Sequence, residues 1–166
     1  MKKIIALPLF ICLFLSSSMA QDDNGFVRKS RVLVETGYNL VAGFSSGSGL
    51  SVLIDSDGET ITSLGFDGGY FLSENFALKF RLGLLSSNGS LTNFGVGGKY
   101  YAGGKVPIEL VAGAISGGSD SEFLSNLSIG YAINLADNVA LEPNIGLLTT
   151  GDGAVFEFGF TFAMFL

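Results

Sequence analysis

The sequence predicts an all-β protein, an eight-stranded antiparallel up-and-down transmembrane β-barrel that is preceded by a cleaved signal peptide. Three observations carry this prediction. The N-terminus has the charge and hydropathy profile of a secretory signal, and the rest of the chain is strongly apolar without a segment long enough for a membrane helix. Eight later segments alternate between apolar residues and small or polar residues.

The N-terminal signal is recognised from its three regions. Lys2 and Lys3 supply the positive start, residues 4–15 form an apolar run, and residues 18–20 are the small residues of a cleavage site. The run is shorter than the roughly 20 residues of a membrane helix. Cys12 lies inside the run behind bulky residues, so a lipid-attachment role is not expected. The predicted parts are the signal peptide 1–20, a short linker 21–30 and the barrel 31–166.

Composition and charge exclude several classes of protein. Hydrophobic residues make up 48% of the chain, charged residues 14%, and the mean hydropathy is +0.49. The 24 glycines and 15 phenylalanines argue against a helical bundle. The net charge is −6, and removal of the two signal lysines makes it more negative, which argues against a nucleic-acid partner. The predicted mature part contains no cysteine, so disulfides and thiol chemistry are not expected.

The alternating segments give the strands. They are predicted at 32–44, 60–72, 76–84, 91–101, 106–115, 123–134, 139–148 and 154–166. Pro143 lies inside the seventh strand, where it cannot donate a ladder hydrogen bond, and a bulge or a locally broken bond is expected there.

The two faces of these strands differ sharply in composition. The apolar face takes even positions in strands one to five and eight, and odd positions in strands six and seven. Its 47 positions contain no charged residue and two glycines, Gly68 and Gly98. The opposite face contains eleven glycines and eight charged residues: Glu35, Asp67, Lys79, Arg81, Lys99, Glu109, Glu142 and Glu157. An apolar outside and a small, polar inside are typical of a membrane barrel, so we interpret these eight as a lumen network of ion pairs.

The connections define the two ends of the barrel. The segments 73–75, 102–105 and 135–138 are short turns predicted at the periplasmic end. The segments 45–59, 86–90, 116–122 and 149–153 are predicted as the outer loops. Tyr70, Tyr100 and Tyr131 lie at the periplasmic ends of their strands and are predicted to form part of an aromatic girdle.

Two hairpins also carry a family resemblance. The segment from Gly69 to Lys79 recurs, with a two-residue insertion in the turn, from Gly130 to Glu142. With the Gly-x-x-Tyr-Tyr pattern ending at Tyr101 and the alternating phenylalanines of the C-terminus, these hairpins resemble the small bacterial outer-membrane β-barrel domain family, which is similar to the eight-stranded OmpA and OmpX barrels. The resemblance covers about residues 31–166. It implies a Gram-negative outer membrane and insertion by the barrel-assembly machinery, although Leu166 stands where the family has a terminal aromatic residue.

No catalytic centre is predicted. The chain has no histidine, which removes the usual general base of serine hydrolases and the commonest zinc ligand. Glu35 with Glu157 is the most suggestive acidic pair, since strands one and eight close the barrel side by side. Internal ion pairing is the better interpretation, so the chain is predicted not to be an enzyme and to need no cofactor or metal.

The predicted outer loops are acidic. They contain Asp55, Asp57, Glu59, Asp120, Glu122 and Asp152 and neither lysine nor arginine. The segment 55–59 has the start of a calcium loop but lacks the downstream glutamate. A calcium loop is therefore not predicted. The hypothesis for these loops is that divalent cations bridge their carboxylates to anionic lipopolysaccharide.

Three functions remain open from the sequence. The first is an integral outer-membrane barrel with a structural or surface-interaction role, a monomer whose partners are membrane lipid, lipopolysaccharide and the assembly machinery. The alternatives are a soluble secreted β-barrel that binds an apolar ligand, and a narrow pore.

Overall fold

The computed structural model describes residues 31–39, 49–54, 60–86, 90–117, 120–151 and 153–166. These residues form ten strands: β1 (Val32–Asn39), β2 (Gly49–Ile54), β3 (Thr60–Phe71), β4 (Phe76–Ser86), β5 (Ser90–Ala102), β6 (Val106–Gly117), β7 (Asp120–Gly130), β8 (Ile133–Ala136), β9 (Val139–Thr150) and β10 (Gly153–Phe165). In this part of the chain no helix is long and apolar enough to cross a membrane. The predicted signal peptide and linker lie outside the described residues.

The strands form one closed antiparallel barrel with eight positions around the ring. From β3 to β7 each strand pairs with the next, β7 pairs with β9 and β9 with β10, and β1 closes the ring by pairing with β10 on one edge and with β3 on the other. β1 pairs with the lower part of β3, and β2 pairs with its upper part. In the same way, β7 pairs with the upper part of β9, and β8 pairs with its lower part. The predicted all-β class and the eight-stranded up-and-down barrel are therefore confirmed.

Two ends can be distinguished by their connections. The lower end carries Arg31, the C-terminus and the turns at 72–75, 103–105 and 137–138. In the turn between β5 and β6, Gly103 and Gly104 have φ values of 58° and 75°, as the two central positions of a tight hairpin turn require. The upper end carries the remaining connections.

One predicted loop contains a strand. The segment 45–59 was expected to be an outer loop, but its residues 49–54 form β2, paired with Thr60–Gly65 of β3. The loop prediction is therefore wrong for this segment. Leu50, Val52 and Ile54 favour a strand, and their pairing with β3 extends the wall upward.

The sixth predicted strand is interrupted opposite Pro143. β7 ends at Gly130 and β8 begins at Ile133, although both pair with β9 in one register as far as Asn134, beyond which the register shifts. Tyr131 donates its N–H to the carbonyl of Pro143 at 3.1 Å. Because the N and C=O of a strand residue face the same neighbour, the proline ring nitrogen also faces Tyr131, where it cannot donate. The expected local break is found, and it lies on the partner strand, while the β9–β10 ladder runs through Pro143 unbroken.

The ladders climb as they go around the barrel. A path along paired residues starts at Glu35 on β1 and ends at Gly153 on β10, through Asp67, Arg81, Gly95, Gly113, Leu124 and Thr150. Gly153 lies six residues above Gly159, whose partner Asn39 lies four residues above Glu35. The circuit thus climbs ten residues, a stagger that corresponds to strands tilted by about 40°.

The outer face is apolar, as predicted. Large apolar side chains are exposed at even positions of β3, β4, β5, β6 and β10 and at odd positions of β7 and β9. The two glycines of this face lie beneath aromatic rings. A Cβ on Gly68 would lie 2.8 Å from the Phe66 ring, and one on Gly98 would lie 2.8 Å from the Phe76 ring. The rings therefore cover backbone that would otherwise be bare.

The lower end of the lumen is closed by a plug of inward-facing apolar side chains. Phe71, Tyr101 and Phe165 pack with ring centroids 5.9 to 6.2 Å apart. Leu33 and four alanines complete the buried cluster: Ala77, Ala132, Ala140 and Ala163. The plug joins β1, β3, β5 and β10, and it seals the barrel below the polar lumen.

Truncating the plug is expected to destabilise the fold. Phe165→Ala should lower the free energy of unfolding by about 3–5 kcal/mol, because a buried ring is removed and a cavity remains. A urea titration of the purified protein, followed by far-UV circular dichroism, measures this loss.

The control for this prediction lies in an exposed lower turn. Ser73→Ala should change the free energy of unfolding by less than about 0.5 kcal/mol. Equal losses in the two variants would contradict the plug.

Candidate functional site in the barrel lumen

The lumen is the candidate site because all eight charged residues of the inner face meet there. They come from seven strands: Glu35 from β1, Asp67 from β3, Lys79 and Arg81 from β4, Lys99 from β5, Glu109 from β6, Glu142 from β9 and Glu157 from β10. Seven of the eight are buried, and Arg81 is partly buried. Strand alternation turns these positions inward, and the climbing ladders bring residues of distant sequence position to similar heights.

Lys79 is the centre of the network. Its side chain is fully buried, and its Nζ contacts the carboxylates of Glu35, Asp67 and Glu109. The distances are 2.5 Å to Asp67 and 3.4 Å to Glu109. A lone ammonium group in this position would carry a large desolvation penalty, and the three carboxylates offset it.

Arg81 bridges two of the same carboxylates from above. Its Nε donates to Asp67 Oδ2 at 2.9 Å, and its Nη2 donates to Glu109 Oε1 at 2.9 Å. The planar guanidinium has donors on two sides, so one side chain of β4 fixes an acid of β3 and an acid of β6.

Lys99 joins the network to the apolar plug. Its Nζ contacts Glu35 and lies 2.5 Å from Glu142 Oε2. The hydroxyl of Tyr101 donates to the other oxygen of Glu142 at 2.9 Å, and the Tyr101 ring lies 5.4 Å from Nζ of Lys99. Tyr101 therefore belongs to both layers, with its ring in the plug and its hydroxyl in the ionic layer.

Glu157 stands apart from the other acids. Its contact is a hydrogen bond to Oε2 from the amide of Asn126, at 2.5 Å. Glu35 pairs with Ala163, six residues along β10 from Glu157, which is about 20 Å at the rise of a strand. The acidic pair of Glu35 and Glu157 considered from the sequence is therefore not formed.

Sequence reasoning did not single out four residues of this site. Tyr101, Asn126, Asn144 and Thr161 all occupy inward positions, and Asn144 donates to the Glu142 carbonyl at 3.0 Å and to the Thr161 hydroxyl at 3.2 Å. Their inward positions follow from strand parity, but an uncharged side chain gives no separate sequence signal of a place beside the ion pairs.

The space left in the lumen is small. A polar cavity of about 30 Å³ remains, bordered by the network and by Asn126, Ser128, Asn144 and Thr161. A water molecule needs roughly 10–15 Å³ of such space, so the cavity holds a few water-sized bodies. The lumen is a filled core with a cavity in it.

The three tyrosines of the predicted girdle lie at one end of the outer face. Tyr70, Tyr100 and Tyr131 are 45%, 48% and 44% exposed. Tyr70 pairs with Val32 and Leu78 near the lower turns, and Tyr131 follows the last residue of β7. The structure thus brings them to the lower rim, outside the lumen.

The acidic outer loops fall mostly outside the described residues. Asp120 begins β7 and Glu122 is exposed at the upper end, whereas Asp55, Asp57, Glu59 and Asp152 are not described. Within the described ranges, no three acidic or cysteine side chains form a group that could hold a metal ion.

Comparison with known proteins adds no family. No protein-family model matches the chain, and a search of curated proteins finds no match. Among solved structures the chain is similar to one described as "De novo design of transmembrane beta-barrels", at 17% identity and a TM-score of 0.46, over 83% of this chain and 97% of that chain. The resemblance to the small outer-membrane barrel family stays a prediction.

Removing the central cation of the network is expected to be costly. Lys79→Met should lower the free energy of unfolding by about 3–5 kcal/mol, because it leaves buried carboxylates without their partner. Chemical denaturation followed by far-UV circular dichroism measures the change.

Two further variants test whether the loss comes from the unpaired charges. The double variant Lys79→Met with Glu35→Met should recover much of the loss, because the charges are removed together. Glu74→Gln in an exposed lower turn should change stability by less than about 0.5 kcal/mol. A double variant as unstable as Lys79→Met would contradict the network.

Proposed function

We propose that this protein is an integral outer-membrane β-barrel with a structural or surface-interaction role and no catalysis. The observation that carries the proposal is the belt of exposed apolar side chains around the barrel. Soluble monomers rarely expose an apolar surface of this extent, whereas hydrocarbon requires one.

The belt has the height that a membrane needs. From Phe156 on β10 to Leu166, which directly follows β10, alternate side chains are apolar over ten residues, about 33 Å along the strand. At a tilt of about 40° this corresponds to a height of about 25 Å, which matches the apolar band of outer-membrane barrels.

In the described ranges, the charged residues outside the lumen network lie at the two ends of the barrel. Arg31, Glu74, Lys105 and Asp137 lie at the lower end, and Asp120 and Glu122 at the upper end. The tyrosines of the lower rim suit the boundary between lipid and water. Short lower turns favour a periplasmic lower end, and the predicted signal peptide favours the outer membrane.

The lumen argues against both alternatives. A soluble barrel for an apolar ligand would turn an apolar face inward, but this interior is ionic and retains about 30 Å³ of polar space. The same filling argues against a pore, because ion pairs and the aromatic plug occupy the axis. Four of the five lumen acids are engaged with lysine or arginine, which supports a non-catalytic role.

The partners follow from this location. We infer that membrane lipid surrounds the belt, that lipopolysaccharide meets the upper end, and that the barrel-assembly machinery inserts the chain. The barrel closes its own ladder, so it needs no second copy to satisfy its edges, and we propose a monomer.

Membrane insertion is tested by extraction and electrophoresis. The protein should leave bacterial membranes only with detergent and should migrate differently before and after boiling, since a closed ladder resists unfolding by detergent at room temperature. Solubility without detergent would overturn the proposal in favour of the soluble barrel.

A charge in the middle of the belt should impair insertion more than a charge at its rim. Leu82→Arg, on the outer face of β4, should lose about 2–4 kcal/mol of folding free energy in lipid vesicles. Leu72→Arg, at the lower end, should lose about 0–1 kcal/mol. Equal losses, measured by urea titration in vesicles, would contradict a membrane belt.

Reconstitution in planar bilayers should give no discrete conductance steps. The plug and the ion pairs leave no continuous path for hydrated ions. Steps that persist in a preparation whose folded state is verified by the gel shift would favour the pore instead.

A further inference from the structure

The upper edge of the apolar belt carries a row of hydroxyl groups. On five neighbouring strands, β4, β5, β6, β7 and β9, the outward position directly above the uppermost apolar side chain is an exposed serine or threonine. These residues are Ser86, Thr92, Ser116, Ser121 and Thr149. The apolar residues directly below them are Leu84, Phe94, Ala114, Phe123 and Leu147. The belt thus ends in hydroxyl groups over more than half of the ring.

Three of these hydroxyl groups stand side by side along the ladder. Thr92 pairs with Ser116, and Ser116 pairs with Ser121. Side chains that are paired in this way have Cβ atoms about 4.5–5.5 Å apart. Ser116 Oγ and Ser121 Oγ share one hydrogen bond at 3.1 Å, which leaves the pair one donor and several acceptor positions for a ligand. One ligand with several polar groups can therefore bond all three residues.

Positive charge is missing from the same end. In the described ranges, no lysine or arginine lies at the upper end, and the segments 40–48, 55–59, 87–89, 118–119 and 152 contain none in their sequence. The charged residues described at this end, Asp120 and Glu122, are both acidic. Lipid phosphates are held by lysine and arginine, so this edge does not suit a phosphate headgroup.

The lower end has a different chemistry. Arg31 and Lys105 lie there, on the same side of the barrel as the exposed rings of Tyr70, Tyr100 and Tyr131. Cations and tyrosines suit a boundary with phosphate headgroups. The two edges of the belt therefore differ in the way that two leaflets with different headgroups require.

A sugar matches the chemistry of the upper edge. Sugar hydroxyls both donate and accept hydrogen bonds, as the hydroxyls of serine and threonine do. A neutral sugar is not repelled by the acids of this end, and it presents several hydroxyl groups close together. The row of paired hydroxyls offers such a ligand more than one partner at a time.

We propose that the upper edge of the belt binds the sugar headgroup of a glycolipid in the facing leaflet, through direct hydroxyl contacts and without a bridging cation. Thr92, Ser116 and Ser121 form the centre of this surface, with Ser86 on one side and Thr149 on the other. The inference rests on the proposed membrane role, and it names the lipid chemistry that the upper end selects.

The test uses the full chain, folded in detergent micelles and mixed with the neutral glycolipid digalactosyldiacylglycerol or with anionic phosphatidylglycerol. Native mass spectrometry then measures how much of each lipid stays bound to the folded barrel. The natural chain should retain the glycolipid, and a chelator of divalent cations should not change the amount retained.

The decisive variant combines Thr92→Val, Ser116→Ala and Ser121→Ala, which remove three hydroxyls and little volume. Glycolipid affinity should fall about tenfold, because several hydrogen bonds are lost, and retention of phosphatidylglycerol should not change. If this variant does not fold, Ser86→Ala with Thr149→Val replaces it and should lower glycolipid affinity by a smaller factor.

The matched control removes hydroxyl groups away from the upper edge. Thr36 is exposed on the outer face of β1 within the belt, and Ser73 lies in an exposed lower turn. Thr36→Val with Ser73→Ala should retain the glycolipid as the natural chain does.

Three results would overturn the inference. They are equal glycolipid affinity in the natural chain and the folded triple variant, an equal loss in the control, and glycolipid retention that disappears with the chelator. Each of them leaves the proposed membrane role intact. That role fails by a different result, a chain that is soluble without detergent and shows no gel shift on boiling.

Discussion

The interior of this eight-stranded ring is almost filled by its own side chains, and the rest of the structure depends on that limit. Charged groups that point inward must find partners within the ring, because water cannot reach them in quantity. Lys79 meets this demand with three carboxylates, and Lys99 meets it with two more contacts above the plug. Inward glycines make room for these long side chains.

The period of a strand links this interior to the exterior. The residues on either side of an inward acid must face outward. The same alternation therefore produces both the polar core and the apolar belt. A slip by one residue would place Glu157 in the belt and Phe158 in the lumen. The ionic core therefore also fixes the register of the wall, since only one register buries every charge.

The strands and their faces were predictable because alternation is local, and the inward position of Glu35 or Lys99 follows from parity alone. The contacts were not predictable, since they depend on the ten-residue climb of the ladders, which no single segment reveals. That climb separates Glu35 from Glu157. The break beside Pro143 was predicted, but its place on the partner strand depended on the direction in which the proline nitrogen points. β2 was missed because its register on β3 does not continue that of β1. It is shifted by twelve residues along the chain.

The ion pairs of the lumen join residues that are far apart in sequence. Arg81 and Glu109 are 28 positions apart, Lys99 and Glu142 are 43 apart, and Lys99 and Glu35 are 64 apart. Each pair joins strands that are not neighbours in the sheet: β4 with β6, β5 with β9, and β5 with β1. Ladder hydrogen bonds between neighbouring strands therefore cannot form these contacts, and only the curvature of the ring brings the partners together. The network thus ties the shape of the barrel to its charges, so a flattened sheet would leave the same groups unpaired.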